Sequence, residues 1–350
     1  MFHDKIKSLF SSAVQSVVSR ISDFSLHPGK DFTRCKKLPA DKLLTFLVAE
    51  GSSSTKNELL DFFDMDTDKP TDSAFNQQRA KLRPEAVEAV FHKFNQSVDS
   101  LSGQTDYRFL AADGSTATFF SNLKFSPSEY FVEPGHSAKG FYSIHINAFY
   151  DLNRHTYTDA LLQPVHQKDE YHAFCEMVDR LPVSDGTKHV YIGDRGYCSY
   201  NNMAHVMEKQ QYFLFRTKDI HSKGLVAGFD FPDEETFDID VDVTLVRSHS
   251  SKIKTESTYR RFVDKATSFD FIEYGSKDIY RMTFRIVRFL ISDGTYECVV
   301  TNLPREEFPP ERIKQVYFSR WGILYEPCFY TNFSVGGVFS SGICALRKFV

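Results

Sequence analysis

The chain has 350 residues, of which 41% are hydrophobic and 25% charged, the composition of an ordinary globular protein with room for two or three packed units. Its 42 lysines and arginines against 46 aspartates and glutamates give a formal net charge of -4, which restricts any nucleic-acid surface to a local patch. Six scattered cysteines without a C-x-x-C pair exclude the common structural zinc motifs, and no apolar run reaches the roughly 18 residues of a membrane span, so we expect a cytoplasmic protein with no membrane contact.

Residues 1–105 are predicted to form a helical N-terminal region, because apolar residues such as Val87, Val90 and Phe91 recur at helical spacing. Within it, "PTDSAFNQQRAKL" predicts a short helix with a polar face. That face is typical both of a DNA-reading helix-turn-helix and of a solvated helix in a bundle, and the sequence leaves both open. If the face binds DNA, the contacting residues are Gln77, Gln78, Arg79 and Lys81.

The period changes at the next segment, residues 106–223. The stretches "YRFLAADGS", "SIHINAFYDL", "KHVYIGDRG" and "QYFLFRTK" alternate as strands do, and "DEYHAFCEMVDRL" has helical spacing. Strands come first and then helix and strand alternate, which predicts an α/β sheet that begins antiparallel and continues parallel. Residues 224–305 are short alternating stretches, which indicate a β-rich insertion, and 306–350 hold a last helix and a tail.

Two predicted strands end in an acid followed closely by glycine: Asp113 before Gly114, and Asp194 with Arg195 before Gly196. Ligands of open α/β sheets lie beyond the carboxyl ends of strands, so neighbouring strands would bring these carboxylates together. Mg²⁺ often takes only one or two carboxylates, and a pair of such ions catalyses phosphoryl transfer. Arg195 could hold a phosphate. Asp-Gly is also a common turn signal, so a plain turn is the competing interpretation.

The motifs "AADGSTATF", "HINAFYDLNRHTYTDALLQP", "IGDRGY", "VTNL" and "YFSRWGI" occur here in one order over nearly the whole chain. In these motifs and in their order along the chain, the protein resembles the insertion-sequence-four family of bacterial DDE transposases. The resemblance implies a ribonuclease-H-like core, interrupted by the β insertion before its last helix, that cuts and joins double-stranded DNA at the terminal repeats of a mobile element. It implies a two-metal site of Mg²⁺ or Mn²⁺ on Asp113 and Asp194, and DNA contacts by Tyr317 and Arg320. A homodimer in the DNA complex is a further expectation.

The third acid of the family pattern is displaced in this chain. The pattern Y-x2-R-x3-E-x6-K requires glutamate at 324 and lysine at 331, where this chain has Leu324 and Thr331. Glu326 is the acid that follows, but two positions turn a helical side chain by about 200°. Pro327 favours a helix end there. We therefore expect a frameshifted or C-terminally truncated copy, with Glu326 as a doubtful catalytic residue.

Three functions stay open at this stage. The first is a metal-dependent transposase, which the displaced third acid could leave inactive. The second is a non-catalytic DNA-binding transposase that inhibits the active enzyme. The third and most distant is an actin-type nucleotide-binding kinase, which shares a strand ending in "DGSTATF" but predicts a second phosphate loop that does not follow residue 194.

Overall fold

The computed structural model describes residues 2–34, 37–51, 53–101, 105–120, 128–133, 135, 140–183, 186–250, 253 and 257–321. Four positions of the sequence argument, Leu324, Glu326, Pro327 and Thr331, lie outside these residues.

Five helices make up the N-terminal region. Phe10, Val14 and Val17 of the first pack against Val90 and Phe94 of the fifth, which explains why both are amphipathic. The helices are α1 (Phe2–Val18), α2 (Ala40–Ala49), α3 (Thr55–Phe62), α4 (Asp72–Arg79) and α5 (Glu85–Leu101).

A single sheet of ten strands runs through the remaining described residues. Its strands are β1 (Tyr107–Phe120), β2 (Phe131–Val132), β3 (Phe141–Asp151), β4 (Thr156–Pro164), β5 (Lys188–Gly193), β6 (Tyr212–Thr217), β7 (Phe237–Val246), β8 (Tyr259–Phe262), β9 (Ile279–Ser292) and β10 (Thr295–Thr301). The hydrogen-bonded order is β2-β3-β1-β5-β6-β10-β9-β7-β8, with β4 paired to β3.

The order and directions of the strands identify the topology of the core sheet. β1 pairs antiparallel with β3, and β3 pairs antiparallel with β4, whereas β5 and β6 run parallel to β1. The order β4-β3-β1-β5-β6 with these directions is a ribonuclease-H-like sheet, so the predicted α/β fold class is confirmed. "HTYTDALLQP", to which the sequence argument gave no structure, forms β4.

Helices cover both faces of this core. α6 (Glu170–Arg180) and α7 (Tyr200–Glu208) pack on the face that carries Tyr191. α8 (Pro310–Ser319) packs on the other face, where Ile313 and Tyr317 contact the side-chain cluster of Val190 and Ile192. Adjacent strand residues point to opposite faces, so the buried run 190–192 serves both layers.

The β-rich segment extends the core sheet. β10 pairs antiparallel with β6 on one side and with β9 on the other, and β9 continues to β7. Its strands therefore share one hydrogen-bonded ladder with the core. In the described part of the chain, no helix is long and apolar enough to cross a membrane.

Candidate active site

The register of β1 and β5 brings the two predicted aspartates together. The parallel ladder between these strands ends at the pair Ala111 and Ile192. Two residues further along each chain, the same register places Asp113 opposite Asp194. The two carboxylates therefore lie at one edge of the sheet, where its parallel pairing stops.

One detail of the prediction is wrong. Asp113 lies inside β1 and not at its end, because β1 continues to Phe120 through its antiparallel ladder with β3, in which Asp113 is opposite Ala148. Asp194, in contrast, directly follows Gly193, the last residue of β5.

Asp113 has an unusual carboxyl group. Its pKa is raised from 3.8 to about 6, chiefly by burial. The charges of Asp194 and Glu170 contribute to the rise, and Arg320 and the Gly114 amide oppose it. A bound cation would offset both the cost of burying the ionised Asp113 and the repulsion between the carboxylates. A perturbed pKa in a cluster of charged groups is typical of a functional site.

Asp194 is held by a compact turn. Its Oδ1 accepts a hydrogen bond of 2.8 Å from the Gly196 amide. Tyr197 closes the turn and is buried against Phe174, with ring centroids 5.6 Å apart. Burial, the largest cause, raises the pKa of Tyr197 well above its usual value. Its hydroxyl therefore stays protonated, which argues against a tyrosine nucleophile.

Glu170 also reaches this site, and the sequence argument missed it. It is the first residue of α6, and its carboxylate lies near Gly114 of β1 and Gly196 of the turn after β5. A Cβ on Gly114 would come 2.9 Å from Glu170 Oε1, and a Cβ on Gly196 would come 3.7 Å from Oε2. The signal that could have found it is β4: this strand runs parallel to β1, so the helix after it starts at the edge where Asp113 lies.

Tyr317 and Arg320, for which DNA contacts are predicted, are both buried in this structure. Tyr317 is 1% and Arg320 4% exposed, because α8 packs Tyr317 into the sheet. The Arg320 guanidinium lies 5.0 Å from the Trp321 ring and acts as a counter-charge to Asp113. Arg195, for which a phosphate contact is predicted, is exposed.

Arg216 of β6 is a second cation that the sequence argument missed. It forms an ion pair with Glu297, whose side chain is 4% exposed. Burial, the largest cause, lowers the pKa of Arg216, and the charges of Arg195 and Arg320 lower it further. The charges of Arg195, Arg320 and Asp194 therefore all act on Arg216, which lies near the site.

The connection between α3 and α4 is longer than that of a helix-turn-helix. Residues 63–71 separate α3 from α4, whereas that motif joins its helices by about three or four residues. Gln78 is 8% exposed because it lies one turn from the buried Phe75, so it cannot reach a groove. The other three predicted contacts stay accessible: Gln77 and Arg79 are exposed and Lys81 is partly exposed.

The chemical type of the donor atoms supports a metal site, although their arrangement is not that of a complete coordination sphere. Among the described residues, no three acidic, histidine or cysteine side chains are already grouped to hold a metal ion. The groups that converge are the carboxylates of Asp113, Asp194 and Glu170. Such oxygen donors suit a hard cation such as Mg²⁺ or Mn²⁺, so the residues fit the group.

The family comparison decides what kind of protein contains this site. The transposase DDE domain matches residues 104–323, which is more than half of the chain and includes both aspartates. The chain belongs to this family of transposases. Membership favours phosphoryl transfer on DNA over the actin-type kinase. Divalent metal ions are general to DDE domains.

Two further comparisons complete these findings. A cryo-EM structure of a piggyBac transposase synaptic complex with hairpin DNA is similar with a TM-score of 0.44 and 9% identity, over 97% of this chain and 71% of that chain. No curated protein matches the chain.

Proposed function

We propose that this chain cuts and joins double-stranded DNA at the terminal repeats of an insertion sequence, as a member of the insertion-sequence-four family. The observation that supports the proposal is the β1–β5 register in a transposase DDE domain, which ends at Ala111 and Ile192 and, continued by two residues, sets Asp113 level with Asp194. Paired carboxylates at a sheet edge suit the binding of divalent cations for phosphoryl transfer. A homodimer would assemble on the two element ends.

Each residue of the site has a distinct role in this proposal. Asp113 and Asp194 would hold Mg²⁺ or Mn²⁺, which when bound activates the attacking hydroxyl and stabilises the leaving oxygen. Arg195 is exposed directly beside Asp194 and would bind a phosphate of the DNA backbone. Arg320 offsets the carboxylate charge from the α8 side.

A second candidate function is a non-catalytic DNA-binding transposase that inhibits the active enzyme. The observation that favours it is Leu324, which stands where the family pattern has glutamate. The matched residues of the DDE domain end directly before it, at 323.

The test uses the DNA that flanks the gene, supplied as labelled element ends with Mg²⁺. We expect cutting by the unaltered chain and a loss of at least about a hundredfold in Asp194→Asn, since one electrostatic contribution to a transition state is often worth that much. Leu324→Glu separates the two candidates. A gain of about a hundredfold or more with this variant, over a barely active parent, would favour the inhibitor. Undiminished cutting by Asp194→Asn would overturn the proposal.

A further inference from the structure

Glu170 has one carboxylate oxygen engaged by Lys168 and His145 and the other on the side of Gly196, in the turn that follows Asp194. Oε1 lies 2.8 Å from Lys168 Nζ and 3.1 Å from His145 Nε2. Oε2 accepts no hydrogen bond from the described residues and lies on the side of Gly196. This oxygen and Asp194 Oδ1 both lie within 3.7 Å of one point, the position a Gly196 Cβ would occupy.

The two glycines leave the space that this approach needs. A Cβ on Gly114 would come within 2.9 Å of both Glu170 Oε1 and His145 Nε2, closer than side chains pack. The missing side chain leaves room for Glu170 and His145 on the face of β1 that also carries Ala112, and the Glu170 charge acts from there on Asp113, the preceding residue. Gly196 likewise has no side chain that would fill the space between Glu170 Oε2 and Asp194 Oδ1.

His145 is a second, independent indication. The residue is 1% exposed, and its Nε2 has no hydrogen bond of acceptable geometry within the described residues, although it faces Glu170 Oε1 at 3.1 Å. Its other nitrogen, Nδ1, lies 3.3 Å from Thr116 Oγ1, which fixes the ring. Carboxylates that ligate metal ions are themselves held by hydrogen-bonding neighbours, and the buried His145 ring is placed to hold Glu170 in this way.

From these contacts we infer that Glu170 supplies the third carboxylate of the metal site in this chain, and that His145 positions it. The inference rests on the proposed function of Asp113 and Asp194. Its consequence is that metal binding here does not depend on a glutamate at position 324. Lys168 competes with the cation for the Glu170 carboxylate.

The test is Mn²⁺ binding to the purified chain at pH 7.5, followed by the electron paramagnetic resonance signal of free Mn²⁺. Glu170→Gln should weaken binding roughly tenfold or more, because it removes one charged ligand. Glu176→Gln is the matched control, since Glu176 lies on the same helix and pairs only with Arg180 among the described residues. It should bind like the parent.

A second variant separates a ligand from a structural residue. Lys168 is 45% exposed, so Lys168→Ala should fold, and it should strengthen Mn²⁺ binding several-fold by releasing Glu170. The gain should be lost when Glu170→Gln is already present, which a double-mutant cycle measures.

The outcomes distinguish this inference from the proposed function. Parent-like binding by Glu170→Gln, with binding lost in Asp113→Asn, would overturn the role of Glu170 and leave the aspartate site standing. No binding by the unaltered chain would contradict both.

Discussion

Asp113 is held in the folded chain at a cost in stability. Its folded pKa of about 6 lies above the ordinary value of 3.8, so its contribution to stability is fully present below 3.8 and is lost as pH rises through 6. At neutral pH, the ionised and half-buried carboxylate therefore destabilises the metal-free protein. Functional sites commonly carry this kind of strain.

Asp113→Asn should accordingly stabilise the metal-free chain at pH 7.5. The expected gain is about 1–3 kcal/mol, from a shift of roughly two pKa units reduced by solvent screening. Urea unfolding at pH 7.5 and pH 4 measures it, and the gain should shrink at pH 4, where the native Asp113 is already protonated. An equal gain at both values would show that the cause is not ionisation.

Gly114→Ala tests the close approach of Glu170 and His145 to β1. The added methyl group would come 2.9 Å from Glu170 Oε1 and His145 Nε2, so we expect a loss of about 1–2 kcal/mol of stability and weaker Mn²⁺ binding. Gly224→Ala is the control, because its nearest neighbour would lie at an ordinary 3.5 Å. The same small effect from both substitutions would argue against a tight contact at Gly114.

At the scale of elements, a buried ion network attaches α5 to β1 and β3. Arg108 Nε lies 2.6 Å from Asp151 Oδ2, and its terminal nitrogens lie 3.0 and 3.2 Å from the oxygens of Asp99 on α5. Asp151 is fully buried. The network fixes the helical region to the strand that carries Asp113.

Arg108→Met should destabilise the chain by about 3–5 kcal/mol, because it leaves the buried charge of Asp151 with less compensation. The control is Arg83→Met, which removes an exposed ion pair with Glu85 and should leave the unfolding midpoint unchanged. Matching losses in thermal melts of the two variants would mean that the network is not what holds α5.

The sequence pattern predicted most elements of the core but missed one strand, with a consequence for the site. Alternation and helical spacing identified β1, β3, β5, β6 and α6, because each buries one clear face. β4 carries Tyr157 and Thr158 side by side, both buried, so its burial does not alternate cleanly. Because β4 was not predicted, the position of the first residue of α6 relative to the sheet could not be predicted. Glu170 was therefore not recognised as a neighbour of Asp113.

The burial of other predicted residues also comes from tertiary packing. Tyr317 packs into the side-chain cluster against the sheet, and Arg320, directly after α8, is buried where its charge acts on Asp113. Gln78 lies on the inner face of α4 beside Phe75. A sequence shows which residues can bind phosphate, but not which of them another element covers.

At the scale of the whole molecule, a net charge of -4 means that DNA has to be bound through local patches. Arg195→Ala and Arg79→Ala should each weaken binding to the element ends and reduce the salt dependence by about one released ion. Fluorescence anisotropy at several salt concentrations measures both quantities. Lys277→Ala, an exposed change in the β-rich segment, is the control. A change in affinity without a change in salt slope would exclude phosphate contacts by these arginines.

The central claim is that Asp113 and Asp194 share a divalent cation in a transposase DDE domain. A crystal structure of the chain soaked in Mn²⁺, with anomalous diffraction data, tests it most directly. We predict an anomalous peak within about 2.5 Å of a carboxylate oxygen of each aspartate, the range of metal-oxygen bonds. A well-ordered sheet edge with no peak between the two carboxylates, at a Mn²⁺ concentration that supports DNA cutting, would contradict it.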